Sequence, residues 1–106
     1  AMGSTFVRKV EQIVAASPLV VFSKTTCGYC SRAKSLLNSL NAKFDAVDLD
    51  KIDSGSQMQK ALAEITGQRT VPNIFMKGNS IGGCDDLMKL HSTGVLEQKL
   101  KEIGVL

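Results

Sequence analysis

The sequence predicts an α/β fold in which helices flank a four-stranded mixed β-sheet, and three observations lead there. Leu19–Phe22 is a continuous apolar run of strand length, apolar residues recur at helical spacing on both sides of it, and residues 73–81 read as strand, turn and strand. A βαβ unit implies two parallel strands joined by a right-handed crossover, and a terminal hairpin adds antiparallel strands to the same sheet.

The elements follow in chain order. Phe6, Val7, Val10, Ile13 and Val14 mark an N-terminal helix that ends at Ser17-Pro18, because proline disfavours helix at the residue before it. Leu19-Val20-Val21-Phe22, closed by Ser23 and Lys24, reads as a central strand buried on both faces. Beyond Thr25–Cys30, the residues Ala33, Leu36, Leu37 and Leu40 stand at i, i+3, i+4 and i+7, so an amphipathic helix begins at the cysteines.

Lys43 to Leu49, with Phe44, Val47 and Leu49 as anchors, is expected to form a second strand, and Met58, Leu62 and Ile65 a helix ending near Gly67. Asn73–Met76 and Ser80-Ile81 flank the turn Lys77-Gly78-Asn79 as a β-hairpin, which Gly82-Gly83 breaks. Leu87, Leu90, Leu96, Leu100 and Ile103 then predict two short helices interrupted at Gly94.

A chain of 106 residues suits one domain, expected over residues 5–106, with Ala1–Ser4 read as an expression-vector remnant. Thirteen Lys and Arg against ten Asp and Glu give a net charge of +3, scattered rather than gathered in the stripe that nucleic acid requires. This mild excess suits a small anionic ligand. The longest apolar run is far short of the roughly 18 to 20 residues of a membrane span, so no membrane partner is expected. Three cysteines without framework spacing argue against a secreted disulfide scaffold. A reducing intracellular compartment is expected, the cytoplasm first, with an organelle open if a leader was removed.

The chemistry gathers at Cys27-Gly28-Tyr29-Cys30, where a strand-to-helix turn places the first sulfur among unpaired backbone N–H groups at a helix N-terminus. Such a position favours the thiolate, and Lys24, three residues upstream, can add positive charge. Cys27 is therefore the expected nucleophile. Cys30, in the first helical turn, is more shielded and can act as the resolving thiol. Half of a zinc site is the competing reading, but four ligands are needed and only Cys84 and His91 remain to join the pair.

Three motifs narrow the class. Ser23-Lys24-Thr25-Thr26-Cys27-Gly28-Tyr29-Cys30, Thr66-Gly67-Gln68-Arg69-Thr70-Val71-Pro72-Asn73-Ile74-Phe75 and Ile81-Gly82-Gly83-Cys84-Asp85-Asp86, in this order and spacing, resemble the glutaredoxin family over essentially the whole chain after residue 5. Thioredoxins carry Trp-Cys-Gly-Pro-Cys instead, and this chain has no Trp. The resemblance implies a thioredoxin fold and an enzyme, a glutathione-dependent thiol-disulfide oxidoreductase. Its substrates would be glutathionylated proteins and protein disulfides, with glutathione supplying the electrons.

The resemblance also implies a glutathione site. Val71-Pro72 matches the family's cis-proline loop, which would pair with the cysteinyl unit like an added strand, with Thr70 beside it; an ordinary turn proline is the alternative. Lys24 and Gln59 match positions that contact the glycine carboxylate. Gly83, Cys84, Asp85 and Asp86 open a helix whose first N–H groups can bind the γ-glutamyl carboxylate, with an aspartate for the α-ammonium. Tyr29 matches the tyrosine lining the groove. Cys84 is expected to have no catalytic role, and His91 and the Met residues are assigned none.

One departure matters. The commonest dithiol motif of the family is Cys-Pro-Tyr-Cys, and Gly28 here replaces the proline, freeing the backbone at the helix start. Family members with a small residue there can resemble iron–sulfur proteins, in which two protomers and two glutathiones hold a 2Fe-2S cluster with Cys27 as the protein ligand. The chain is thus expected as a monomer or as a cluster-bridged homodimer, and a cluster carrier or redox sensor is the second function expected.

Overall fold

Side chains alternate across a strand, and in β1 (Leu19–Ser23) both faces are covered, so every residue is buried. The structure, a computed structural model, describes residues 4–106. Around β1 the chain runs α1 (Thr5–Ala16), β1, α2 (Gly28–Ser39), β2 (Asp45–Asp48), a 3-10 turn (Leu49–Lys51) and α3 (Gly55–Thr66). It continues through β3 (Asn73–Met76), β4 (Asn79–Gly82), α4 (Cys84–Ser92) and α5 (Val95–Glu102). The remnant reading of Ala1–Ser4 falls on residues 1–3, which lie outside the described residues, and on Ser4, whose hydroxyl accepts the Val7 N–H at 3.1 Å as the N-cap of α1.

The sheet order is β2-β1-β3-β4, with β1 parallel to β2 and antiparallel to β3, and β3 antiparallel to β4. This is the predicted mixed sheet of a thioredoxin fold. Leu19, Val21, Ile74 and Met76 face one core with Leu37 of α2, Leu87 of α4 and Leu96 and Leu100 of α5. Val20, Phe22 and Phe75 face the other, with Val10 of α1 and Met58 and Leu62 of α3. Phe22 and Phe75 meet edge to face at 5.6 Å in that second core.

Two boundaries differ from expectation. The second strand was expected from Lys43 to Leu49 and spans only Asp45–Asp48, because the Lys43 N–H donates to the Val105 carbonyl at 2.9 Å and Leu49 turns into the α3 core at 2% exposure. The hairpin turn has two residues rather than three: Lys77 and Gly78 both take positive φ, 49° and 81°, and Asn79 already belongs to β4. Two consecutive positive φ values suit the right-handed twist of the flanking strands.

The topology carries the C-terminal end of β1 directly into the cysteine loop. The start of α2, the loop before β3 and the start of α4 then converge on that end.

Candidate active site

The cysteine loop is tied down before it reaches Cys27. Asp50, in the 3-10 turn, accepts the Thr25 N–H at 3.1 Å and also the Thr25 hydroxyl. These hydrogen bonds, the hydroxyl's first, hold the Asp50 carboxyl below its ordinary value. Cys27 is the N-cap of α2: its backbone N–H reaches the Lys24 carbonyl at 3.2 Å and its carbonyl accepts from Ser31 at 3.1 Å. Its sulfur accepts the Cys30 N–H at 3.2 Å and lies 3.7 Å from the Val71 carbonyl oxygen, to which the thiol donates. Residues 44 positions apart in sequence are thus in contact through the reactive sulfur.

The two cysteines differ in surroundings. Cys27 is half-buried, whereas Cys30 is 1% exposed, and no disulfide joins them. Burial, reinforced by a hydrogen bond with Cys27, pushes the Cys30 thiol up to about 12; the Lys24 backbone and the Lys34 ammonium act in the opposite direction. Cys30 therefore stands as a protonated reserve behind an accessible sulfur.

Lys34 itself is held in an ion pair with Asp48 at 2.9 Å, and the same carboxylate oxygen accepts the buried Ser23 hydroxyl at 2.6 Å. The Ser23 and Lys34 hydrogen bonds lower the Asp48 carboxyl below its usual range. The end of β1, the end of β2 and α2 are locked together beneath the cysteines.

Beside Cys27 lies a groove of about 370 Å³ that brings together most of the predicted binding residues: Tyr29, Thr70, Val71, Pro72, Gly83, Cys84, Asp85 and Asp86. The Val71–Pro72 peptide bond is cis. Asp86 accepts the Gly83 N–H at 3.0 Å, so one of its oxygens is committed to capping α4. A Cβ on Gly83 would stand 3.3 Å from the Pro72 carbonyl, and one on Gly82, at φ 104°, would run into Asp86. The two glycines let the α4 start close against the proline loop. Tyr29 is 59% exposed, with the Arg32 guanidinium 5.9 Å from its ring centroid. Cys84 is buried and its thiol is pushed up by that burial.

Lys24 and Gln59 are not among the residues lining this groove. The Lys24 side chain is half-buried. Gln59 donates to the Arg69 carbonyl at 3.0 Å and lies with Ser56 and Arg69 along a neighbouring groove of about 720 Å³ that contains no cysteine. The larger cavity is therefore not where the sulfur chemistry sits. No three His, Cys, Asp or Glu among the described residues gather as a metal site, so the zinc reading of the cysteines finds no partners.

Sequence reasoning missed the residues that hold the site together. Gln68 lines the groove and donates to the carbonyls of Thr70 and Pro72, both at 2.9 Å. Its signal is a long amide two and four residues from those carbonyls. Asp50 and Thr25 are 25 positions apart and carry no local signal.

Known proteins converge on the same assignment. The glutaredoxin family profile matches residues 19–81. An Arabidopsis thaliana protein named Glutaredoxin-C1 is 52% identical over 100 residues, covering 94% of this chain and 80% of its own length. Glutaredoxin-C4, chloroplastic, of Oryza sativa subsp. japonica is 54% identical, covering 92% and 74%. A crystal structure of a buckwheat glutaredoxin–glutathione complex superposes with a TM-score of 0.93 at 48% identity, covering 95% of this chain and 92% of that one. With the dithiol turn, the groove and these relatives in agreement, the chain belongs to the glutaredoxin family of thiol-disulfide oxidoreductases.

Proposed function

We propose that this chain reduces protein–glutathione mixed disulfides through Cys27, and protein disulfides through the Cys27–Cys30 pair. The observation that carries the reading is the half-buried Cys27 sulfur, 3.7 Å from the Val71 carbonyl, at one side of a groove formed by the cis-proline loop and the α4 start. A mixed disulfide whose glutathione lies along that loop presents its glutathione sulfur to Cys27.

The Cys27 thiolate attacks that sulfur, a Cys27–glutathione disulfide forms, and the protein leaves as a thiolate that takes a proton from water. A second glutathione thiolate then attacks the bound glutathione sulfur, releasing glutathione disulfide and the Cys27 thiolate. In the alternative branch Cys30 loses its proton and attacks Cys27, glutathione leaves as thiolate, and two further glutathiones reduce the resulting disulfide. Thr70 and Val71 take the cysteinyl backbone. The N–H groups at Cys84 and Asp85 take the γ-glutamyl carboxylate, the Gly83 N–H being engaged with Asp86. One Asp86 oxygen is engaged with Gly83, so Asp85 or the second Asp86 oxygen takes the α-ammonium. Tyr29 closes the groove near the sulfur, and Lys24 and Gln59 serve the glycine carboxylate.

Turnover of a glutathionylated peptide tests this. Cys30→Ser should retain deglutathionylation and Cys27→Ser should fall to the uncatalysed rate; activity in Cys27→Ser would remove the assigned nucleophile.

A second reading has one supporting observation: nothing lies within 4 Å of where a Cβ on Gly28 would stand, so the space beside Gly28 at the start of α2 is open. Cys30 and Cys84 are buried, which leaves one accessible thiolate per chain, and a 2Fe-2S cluster held by Cys27 would need a second copy and two glutathione sulfurs. Such a dimer would act as a cluster carrier or redox sensor. Anaerobic reconstitution with iron, sulfide and glutathione should then give visible absorbance eluting as a dimer; a colourless monomer removes this reading.

A reducing compartment suits this activity, the cytosol or, as the name of one relative suggests, a plastid. No helix among the described residues is long and apolar enough to cross a membrane.

A further inference from the structure

We propose that Gln68 is a positioning residue for glutathione capture: its side-chain amide gathers the Thr70 and Pro72 carbonyls on one side of the cis-proline loop and so aims the Val71 backbone edge at Cys27. The inference rests on reading that loop as the subsite for the cysteinyl unit. Thr70 and Pro72, two residues apart, both accept from Gln68 Nε2 at 2.9 Å, while the intervening Val71 carbonyl faces the Cys27 sulfur at 3.7 Å.

The amide is suited to this task. Its NH2 group has two hydrogens, one for each carbonyl. The opposite placement of the amide would set its oxygen against two acceptors, so the two carbonyls fix its orientation. A carboxylate of the same length would place charge there and donate nothing.

The residue is itself anchored. The Gln68 N–H donates to Thr66 Oγ1 at 3.0 Å, and the same hydroxyl accepts from Asn73 Nδ2 at 3.2 Å and donates to the Leu62 carbonyl at 2.7 Å. Asn73 is fully buried and accepts the Ser80 hydroxyl at 3.0 Å. A hydrogen-bonded chain thus runs from β4 through β3 and the end of α3 to the loop. Around the buried Asn73, polar groups that satisfy one another in this way fix one arrangement. On the other side, a Cβ on Gly83 would stand 3.8 Å from Gln68 Nε2, so the start of α4 packs against the same clip. Gln68 touches both walls of the groove.

The experiment compares wild type, Gln68→Glu and Gln68→Met, the last preserving length without donating, in case the charged variant fails to fold. Deglutathionylation of a peptide is read as KM and kcat, alongside alkylation of Cys27 by iodoacetamide across pH, which needs no peptide subsite. The expected result in either folded variant is a loss of roughly tenfold in kcat/KM, mostly through KM, as two hydrogen bonds of ordinary strength are lost, with the alkylation pH profile unchanged. A wild-type KM in Gln68→Met overturns the proposal, and so does an equal loss in alkylation. Wild-type protein that does not prefer the glutathionylated peptide over the same peptide carrying cysteamine removes the underlying reading of the loop, and the proposal with it.

Discussion

Val71, Pro72 and Gly83 hold their places through backbone atoms, a side-chain clip and a close glycine contact. Lys24 and Gln59, assigned to the other end of glutathione, do not line the groove, and the Gln59 side chain is bonded to the Arg69 carbonyl. The first wall has little freedom left to lose when a peptide arrives, whereas in the proposed assignment the second would order long side chains around a carboxylate. A site built this way places the reacting sulfur with the rigid wall and gathers charge with the adaptable one.

The rigid wall offers the largest effect. Gly82→Ala adds a Cβ at φ 104° into the Asp86 carboxylate, which must then abandon the Gly83 N–H. The expected cost is about 1–3 kcal/mol, read as a lowered thermal midpoint, with a parallel loss of deglutathionylation. Wild-type stability in this variant would break the contrast between the walls.

Changes on the adaptable wall should be smaller. Lys24→Ala and Gln59→Ala are each expected to raise the KM for a glutathionylated peptide about two- to fivefold, in line with the roughly 0.2–1 kcal/mol of a partly exposed polar contact. The Lys24 effect should shrink in salt, because exposed charges are screened. A tenfold loss that is insensitive to salt would show that this wall is as fixed as the other.

The smallest effect lies beneath both walls. The folded-state value of Asp48 is lowered, so its contribution is complete above the unfolded value of about 3.9 and is lost as pH falls through the folded one. Lys34→Met should therefore cost about 1 kcal/mol or less at neutral pH, the pair being partly exposed. The difference from wild type should fade in chemical denaturation below about pH 4. A difference that persists at pH 2 would mean that Lys34 acts through packing rather than charge.

Much of the architecture was legible before any coordinates, because Leu19–Phe22 and the helical spacings are local patterns whose burial has one economical solution. The groove was legible for a different reason: three motifs far apart in sequence named residues that the fold brings together. The clamps were not legible. Thr25 with Asp50, Ser23 with Asp48, and Asn73 with Ser80 are polar pairs created by strand register and helix docking, and no spacing in a linear chain announces them. The early end of β2 has a similar origin, since it depends on the Val105 carbonyl at the far end of the chain.

The buried Cys30 thiol has a consequence for traffic through the proposed cycle. With its value pushed up to about 12, the Cys30 thiol stays protonated at pH 7. Burial, not the hydrogen bond with Cys27, is the larger cause of that value. The glutathionylated intermediate therefore meets a branch point at which the internal thiol is slow to arm while free glutathione arrives from solution. Cellular glutathione concentration, rather than the geometry of the pair alone, would set the share of each turnover that passes through the internal disulfide.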